Sequence, residues 1–316
     1  MNTNSTAAPF NRITSPKSFS ARMVLPAIRL VGALTRWNNY RGVGRVARTL
    51  GAFLPPAPAR IQLSAGTTLE IDLFDDYWTR MIFDDFIYEP EIEAFLAGFA
   101  GRDFAWLDCG ANIGYWSLRL SEQRPPRHVV AVEASPQTFA KLDVNNRLSG
   151  SRFHAVNRAL SDSVGKILPF VVTAKHAEAH LATSADAIWG KKVGTVDVET
   201  TTIDEILKFA PLDLVGIPLL IKLDVEGAEN AALRGAKTTI EAHDTVIIYE
   251  CHGKDRDCSV TRHLLQDGRF DLYSLEGGLI EISSVSQALA LKKDSRKGYN
   301  FAAVKKTVAL PHVIGT

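Results

Sequence analysis

Cysteine is scarce: Cys109, Cys251 and Cys258 are the three in a chain of 316 residues. So few, and an odd number, exclude a disulfide scaffold and favour a reducing, cytoplasmic setting, and the C-x6-C spacing matches no zinc module. Long apolar runs are also missing. No stretch reaches the roughly 18 residues that span a bilayer, and no signal-type hydrophobic core precedes a small-residue cleavage site. Acid is absent from one end, where the first 69 residues hold nine Lys/Arg and no Asp or Glu. The net charge of +1 therefore hides a body, residues 70–316, that sums to −8. Such a body lacks the basic face that phosphate-backbone binding needs, which speaks against a nucleic-acid partner. What is present, 46% hydrophobic and 22% charged residues, suits one large globular domain or two small ones.

Residues 1–20 are rich in Ser, Thr and Asn, with Pro9 and Pro16 opposing a helix, so a flexible leader is expected. From Met23 to Leu54 apolar residues recur at helical spacing among Arg22, Arg29, Arg36, Arg41, Arg45 and Arg48. That pattern predicts two short amphipathic helices parted near Asn38–Asn39. Residues 22–54 fit three roles: a helical cap on the body, a surface peripheral to an anionic membrane or a partner, or a transit peptide. Pro55, Pro56 and Pro58 mark a linker. The expected division is 1–60 as leader and basic helical segment, 61–103 as a β-hairpin (Ile61–Leu63 with Thr68–Leu73) and a helical lead-in after Pro90, and 104–316 as the main domain.

In that domain, short branched apolar runs at Phe104–Cys109, Val129–Val132, Phe153–Val156, Leu219–Leu223 and Val246–Tyr249 alternate with helical patterns. The helices are expected at Ile113–Glu122, Gln137–Leu148, Ile203–Phe209, Ala228–Leu233 and Val260–Gln266. Strands buried on both faces and joined by crossover helices predict a doubly wound, mostly parallel α/β sheet. Phe270–Leu275, Leu279–Ile282 and Asn300–Val304 read as strands, with no strong helix between the last two, so an antiparallel edge closes the sheet. Thr173–Val196, with His176, His180 and Trp189, shows no period and is expected to form an insertion or lid.

The segment Asp108-Cys109-Gly110-Ala111-Asn112-Ile113-Gly114 lies between the first buried strand and a helix. Gly110 permits positive φ, Gly114 permits close approach, and the helix start offers unpaired N–H groups. Glu133, 25 residues beyond Asp108, ends the next strand, where a carboxylate accepts both hydroxyls of a ribose. Asn112 stands where a dinucleotide loop needs a second glycine, and Asp108 repels phosphate. Both point instead to the cationic amino-acid end of S-adenosylmethionine. Leu160 and Asp162, after the third strand, are candidates for the adenine pocket.

These motifs resemble the FkbM family of S-adenosylmethionine-dependent methyltransferases, over roughly Tyr88 to Glu250. Tyr88-Glu89-Pro90-Glu91, the glycine loop, Ala131-Val132-Glu133-Ala134, Asn157-Arg158-Ala159-Leu160-Ser161-Asp162 and, most specifically, Ile221-Lys222-Leu223-Asp224-Val225-Glu226-Gly227-Ala228-Glu229 carry the likeness. It implies a Rossmann-like, seven-stranded class I methyltransferase fold and O-methylation of a sugar, glycolipid or polyketide hydroxyl. Cys109, where Val is common, and Ala134-Ser135-Pro136 depart from the pattern without altering a charge.

Methyl transfer is an in-line displacement, so positioning dominates, with a base adding roughly 10²–10⁴-fold. Lys222 and Asp224 leave one face of a strand at its carboxyl end. Asp224 and Glu226 are candidates to orient or deprotonate the acceptor, with Lys222 tuning them, and Glu250 and His252 close the next strand as further candidates. Glu229 reads equally as a first-turn acid on the helix dipole, and Tyr115 and Trp116 as core. Asp224, Glu226, Glu229 and Glu250 would suit Mg²⁺, but their spacing defines no octahedral set, so no metal is expected. The competing readings are a nicotinamide-dependent oxidoreductase and a non-catalytic ligand-binding adaptor.

Overall fold

The computed structural model describes residues 12–16, 18–83, 85–122, 128–173, 180–181, 192–210, 212, 214–294 and 297–310. Strand β1 (Arg12–Pro16), helix α1 (Phe19–Thr35), a 3-10 turn at Arg36–Asn38 and helix α2 (Val43–Gly51) come first. Strands β2 (Pro58–Gln62) and β3 (Thr68–Asp72) complete an antiparallel sheet in the order β1-β2-β3. Within the expected flexible leader, Arg12–Pro16 instead form a strand, because β1 pairs along β2 from Arg12↔Gln62 to Pro16↔Ala59. Its proline stands on an edge strand, where a missing N–H does little harm. The proline-rich linker likewise runs into β2, with Pro58 as the first residue.

The two basic helices part where the spacing predicts: Asn39 and Tyr40 take left-handed φ of 47° and 58°. Ser18 caps α1 by accepting the Ala21 N–H. The helix buries Ala21, Val24, Leu25, Ile28 and Gly32, and its core is continuous with that beneath β2, β3 and one face of the main sheet. At Gly32 a Cβ would lie 2.1 Å from the Phe83 ring, so glycine is what lets helix and ring meet.

After α3 (Pro90–Ala97), the elements β4 (Ala105–Cys109), α4 (Tyr115–Ser121), β5 (Val129–Val132), α5 (Pro136–Leu148) and β6 (His154–Val156) alternate. A satellite sheet interrupts them: β7 (Ala159–Leu160), β8 (Ile167–Thr173), β9 (His180–Leu181) and β10 (Lys192–Thr201), in the order β7-β10-β8-β9. Of the expected insertion Thr173–Val196 the described residues are strand, and β8 and β10 pair antiparallel from Glu199↔Ile167 to Lys192↔Thr173. His176 and Trp189 lie outside the described residues, and His180 is buried.

The second half comprises α6 (Ile203–Phe209), β11 (Leu219–Leu223), α7 (Glu229–Arg234), α8 (Lys237–Ala242), β12 (Thr245–Glu250), α9 (Ser259–Asp267), β13 (Phe270–Ser274), β14 (Ile280–Ile282), α10 (Val285–Leu291) and β15 (Asn300–Lys305). The main sheet runs β14-β13-β15-β12-β11-β4-β5-β6, with β15 antiparallel to both neighbours. The family resemblance implies seven strands; the eighth, β14, lies within the expected strand Leu279–Ile282 and is a short antiparallel partner of β13. Helix α10 was not expected, because of its seven residues Ala288 alone is buried and its period is faint.

Central strands read as unbroken apolar runs because both faces are covered: Trp106, Leu220 and Ile248 enter one core and Leu107, Ile221 and Tyr249 the other. The chain order reverses between β4 and β11, and in such sheets the crevice for ligands opens at the carboxyl ends beside that reversal.

Candidate active site

A cavity of about 730 Å³ lies there, lined from the ends of β4, β5, β11 and β12. Gly110 has φ 82°, and a Cβ on it would stand 1.8 Å from the Asp224 carbonyl oxygen, so glycine lets the loops after β4 and β11 touch. Asn112 (φ 51°) and Gly114 (φ 92°) complete the turn into α4. Glu133 is 9% exposed. Its Oε2 accepts the Asn112 N–H at 3.0 Å and its Oε1 the Ser135 N–H at 2.9 Å, which leaves lone pairs on both oxygens for ribose hydroxyls. Burial pushes its pKa up to about 7 against the pull of those two N–H groups. Asp108 accepts the Ser117 hydroxyl at 2.6 Å and is also raised by burial. Leu160, with Ala134 and Phe170, supplies an apolar wall.

Across the reversal the surroundings change to charge. Lys222 is 5% exposed and registers beside Asp108 of β4. Its Nζ donates to Asp224 Oδ2 at 2.7 Å. Burial works to lower the lysine pKa, yet Asp224, Glu89 and Asp108 together hold it well above the usual range. Carboxylate oxygens of Glu89, Asp224 and Glu250 lie within 4.8 Å of one another. Burial, then Asp224 and Glu89, push Glu250 up to about 8. Burial likewise raises Glu89, whose Oε2 accepts the Trp116 indole N–H at 2.6 Å. Oxygen ligands so grouped could hold a hard cation, but the Lys222 ammonium already provides the countercharge.

Glu226 and His252 line the same cavity. Glu226 takes φ 47°, and the His252 ring is held by the Lys254 N–H donating to Nδ1 at 3.2 Å. Glu229 does not line it: its Oε1 accepts the Val225 and Gly227 N–H groups at 3.2 and 3.1 Å, closing the loop after β11. Gly114 shapes the loop without lining the cavity. Asp162 stands apart as well, paired with Arg234 at 2.9 Å on the surface. Of the two residues expected beside an adenine, Leu160 lines the cavity and Asp162 does not.

Sequence reading gave no site role to one aromatic wall of the cavity, although Tyr88 stands in a motif it quotes. Tyr77, Trp78 and Tyr88, before the main sheet, pack edge to face or tilted with one another and with Tyr115. The Tyr77 and Tyr88 hydroxyls are 2.7 Å apart, and the Trp78 indole N–H donates to Asn112 Oδ1 at 3.3 Å. Tyr115 and Trp116 are core, as expected, and line the cavity too. Glu89 had a usable signal: an acid directly before a helix-starting Pro90.

No curated protein matches the sequence. Among solved structures the chain is similar to methyltransferase FkbM from Methylobacillus flagellatus, with 16% identity over 64% of this chain and 43% of that one, and TM-score 0.42. It is similar to precorrin-6y C5,15-methyltransferase from Geobacter metallireducens, at 12% identity over 69% and 87% of the two chains, with TM-score 0.39. An O-methyltransferase from Bacillus cereus in complex with SAH gives 13% identity, 69% and 82% coverage and TM-score 0.37. At these scores the likeness carries no argument, and the chain spans less than half of the Methylobacillus protein. The family description "Methyltransferase FkbM domain" matches residues 108–272. That span runs from the glycine loop through the acidic edge and covers more than half of the chain, which therefore belongs to the FkbM methyltransferase family.

Proposed function

We propose that the protein transfers a methyl group from S-adenosylmethionine to a hydroxyl of a sugar, glycolipid or polyketide-type acceptor. The observation that supports this most is that Glu133 and, with Lys222, the carboxylates of Asp224 and Glu250 face one cavity from opposite sides of the β4/β11 reversal. On the first side Glu133 suits a ribose, the close backbone at Gly110 admits the donor's body, Asp108 favours a cationic amino group, and Ala134, Leu160 and Phe170 suit a flat apolar ring. Bound there, the cofactor supplies a methyl group on an electrophilic sulfonium.

The other side handles the acceptor. Asp224 takes the hydroxyl proton, an assistance of about 10²–10⁴-fold, while Lys222 at 2.7 Å balances its charge. Glu250, with a pKa near 8, carries a proton at neutral pH and donates a hydrogen bond to an acceptor oxygen. Glu226 and His252 sit where they can fix neighbouring hydroxyls. Tyr77, Trp78 and Tyr88 offer apolar ring surfaces with polar tips, which fit the C–H face of a sugar.

Calorimetric titration with S-adenosylhomocysteine tests the first half without knowledge of the acceptor. Micromolar binding by the wild type that collapses in Glu133→Ala is expected. Absence of binding by the folded wild type would overturn the reading. Labelled donor offered with hydroxylated glycans and glycolipids then tests the second half.

A further inference from the structure

A helix on a soluble protein usually turns charged residues outward. Helix α1 turns an apolar stripe outward: Phe19, Met23, Leu30 and Leu34 are 80%, 64%, 64% and 68% exposed, and Pro26 and Ala33 are exposed between them. At 100° per residue these six fall within one sector, opposite the buried Val24 and Ile28. Trp37, just beyond the helix, is 86% exposed, and Phe53, just beyond α2, 85%.

Charge flanks the stripe with one sign. Arg22 and Arg29 are exposed along one side of it, and Arg45 is exposed on α2. The body answers only some of these cations: Asp85 pairs with Arg36 and Asp76 with Arg48. Arg22, Arg29, Arg41 and Arg45 have no ion pair among the described residues, and no acid precedes Glu70 in the chain. Arg41 also lines the cavity, so the cationic face borders the mouth of the site.

We propose that α1 and the start of α2 dock on an anionic lipid bilayer. The apolar stripe enters the headgroup boundary, the unpaired arginines meet lipid phosphates, and the cavity mouth lies beside the membrane. At 17 residues α1 is too short to cross, and no helix among the described residues is long and apolar enough to do so, so the contact is interfacial. A second copy is a poorer occupant of this face. It would set arginine against arginine, with no acid in the segment of either copy to compensate. The placement suits an acceptor hydroxyl carried on a lipid, an extension that rests on the methyl-transfer reading. Vesicle binding needs no turnover, so its failure and a failure to bind S-adenosylhomocysteine are separate results.

The test is co-sedimentation of the full chain with phosphatidylcholine vesicles, with and without one-third phosphatidylglycerol, at low and high salt. Binding to the anionic vesicles that is lost in high salt is expected. Arg22→Glu with Arg29→Glu weakens partitioning by roughly fivefold or more per arginine, and Met23→Ser with Leu30→Ser by about tenfold or more. Melting temperature stays the same in both, because the side chains are exposed. Absence of wild-type binding at low salt overturns the proposal, and so does wild-type binding by the serine variant. A dimer in solution that the serine variant dissolves, without vesicle binding, assigns the face to a second copy instead.

Discussion

Glu133 and Glu250 are both largely buried glutamates at the carboxyl ends of parallel strands, and they face the same cavity. Their neighbours differ in kind. Glu133 is gripped by two backbone N–H groups, one on each oxygen, so its position is fixed by the turns at Asn112 and Ser135. Glu250 sits among charges, with Asp224, Glu89 and Lys222 around it. Its carboxyl packs so closely on Gly298 that a Cβ there would come within 2.4 Å. A carboxylate held by backbone can read the shape of a ligand without moving. A carboxyl crowded by other acids is suited to holding and passing a proton. Residue type and strand position are equal in the two cases, so the surroundings assign the role.

The sharpest way to break the comparison is to remove the charge on one side alone. Asp224→Asn is expected to lower kcat by about 10²–10⁴ while leaving S-adenosylhomocysteine affinity within about threefold. If calorimetry shows affinity and turnover falling together, the two sides are not separate. The reciprocal change, Glu133→Ala, is expected to weaken S-adenosylhomocysteine by about 10–100-fold, the worth of hydrogen bonds to a charged group. A smaller effect follows from the Glu133 pKa near 7. Below that pH the carboxyl gains a proton and loses acceptor capacity, so wild-type affinity should fall severalfold from pH 7.5 to 6. In Glu133→Gln that slope should vanish, and titrations at the two pH values decide it.

The side built from backbone was far more legible than the side built from side chains. Asp108–Gly114 and Glu133 are local in sequence, and a turn that needs positive φ declares itself through Gly110 and Gly114. The central strands were legible for a related reason, since burial on both faces leaves unbroken apolar runs such as Leu219–Leu223. The acidic side joins residues far apart: Glu89 reaches Asp224 and Glu250 only after α3 has packed against the sheet. Tyr77, Trp78 and Tyr88 sit in 3-10 and irregular backbone, which has no period to detect. Strand β1 was hidden by its polar composition, because the ladder with β2 is backbone bonding that no side-chain pattern records. Asp162 illustrates the opposite error, a residue at the right offset that Arg234 draws to the surface.

The smallest expected effect tests the charge-crowded side through stability rather than turnover. The folded pKa of Glu250, about 8, lies above the usual glutamate value near 4.3. The folded state therefore binds this proton more tightly than the unfolded state does. Its stabilising contribution is complete below about pH 4 and is lost as pH rises through 8. Glu250→Gln keeps the shape and cannot ionise, so its melting temperature relative to wild type should rise between pH 5.5 and 8.5, by about 2–4 °C per kcal/mol of relief. The same substitution at Glu133 should give a smaller rise that is complete nearer pH 7, because backbone N–H groups offset part of the burial there. Melting curves of the two variants against wild type at the two pH values measure that contrast directly. Equal, pH-independent differences would mean that neighbouring charge does not distinguish the two glutamates, and the division of roles between them would fall with it.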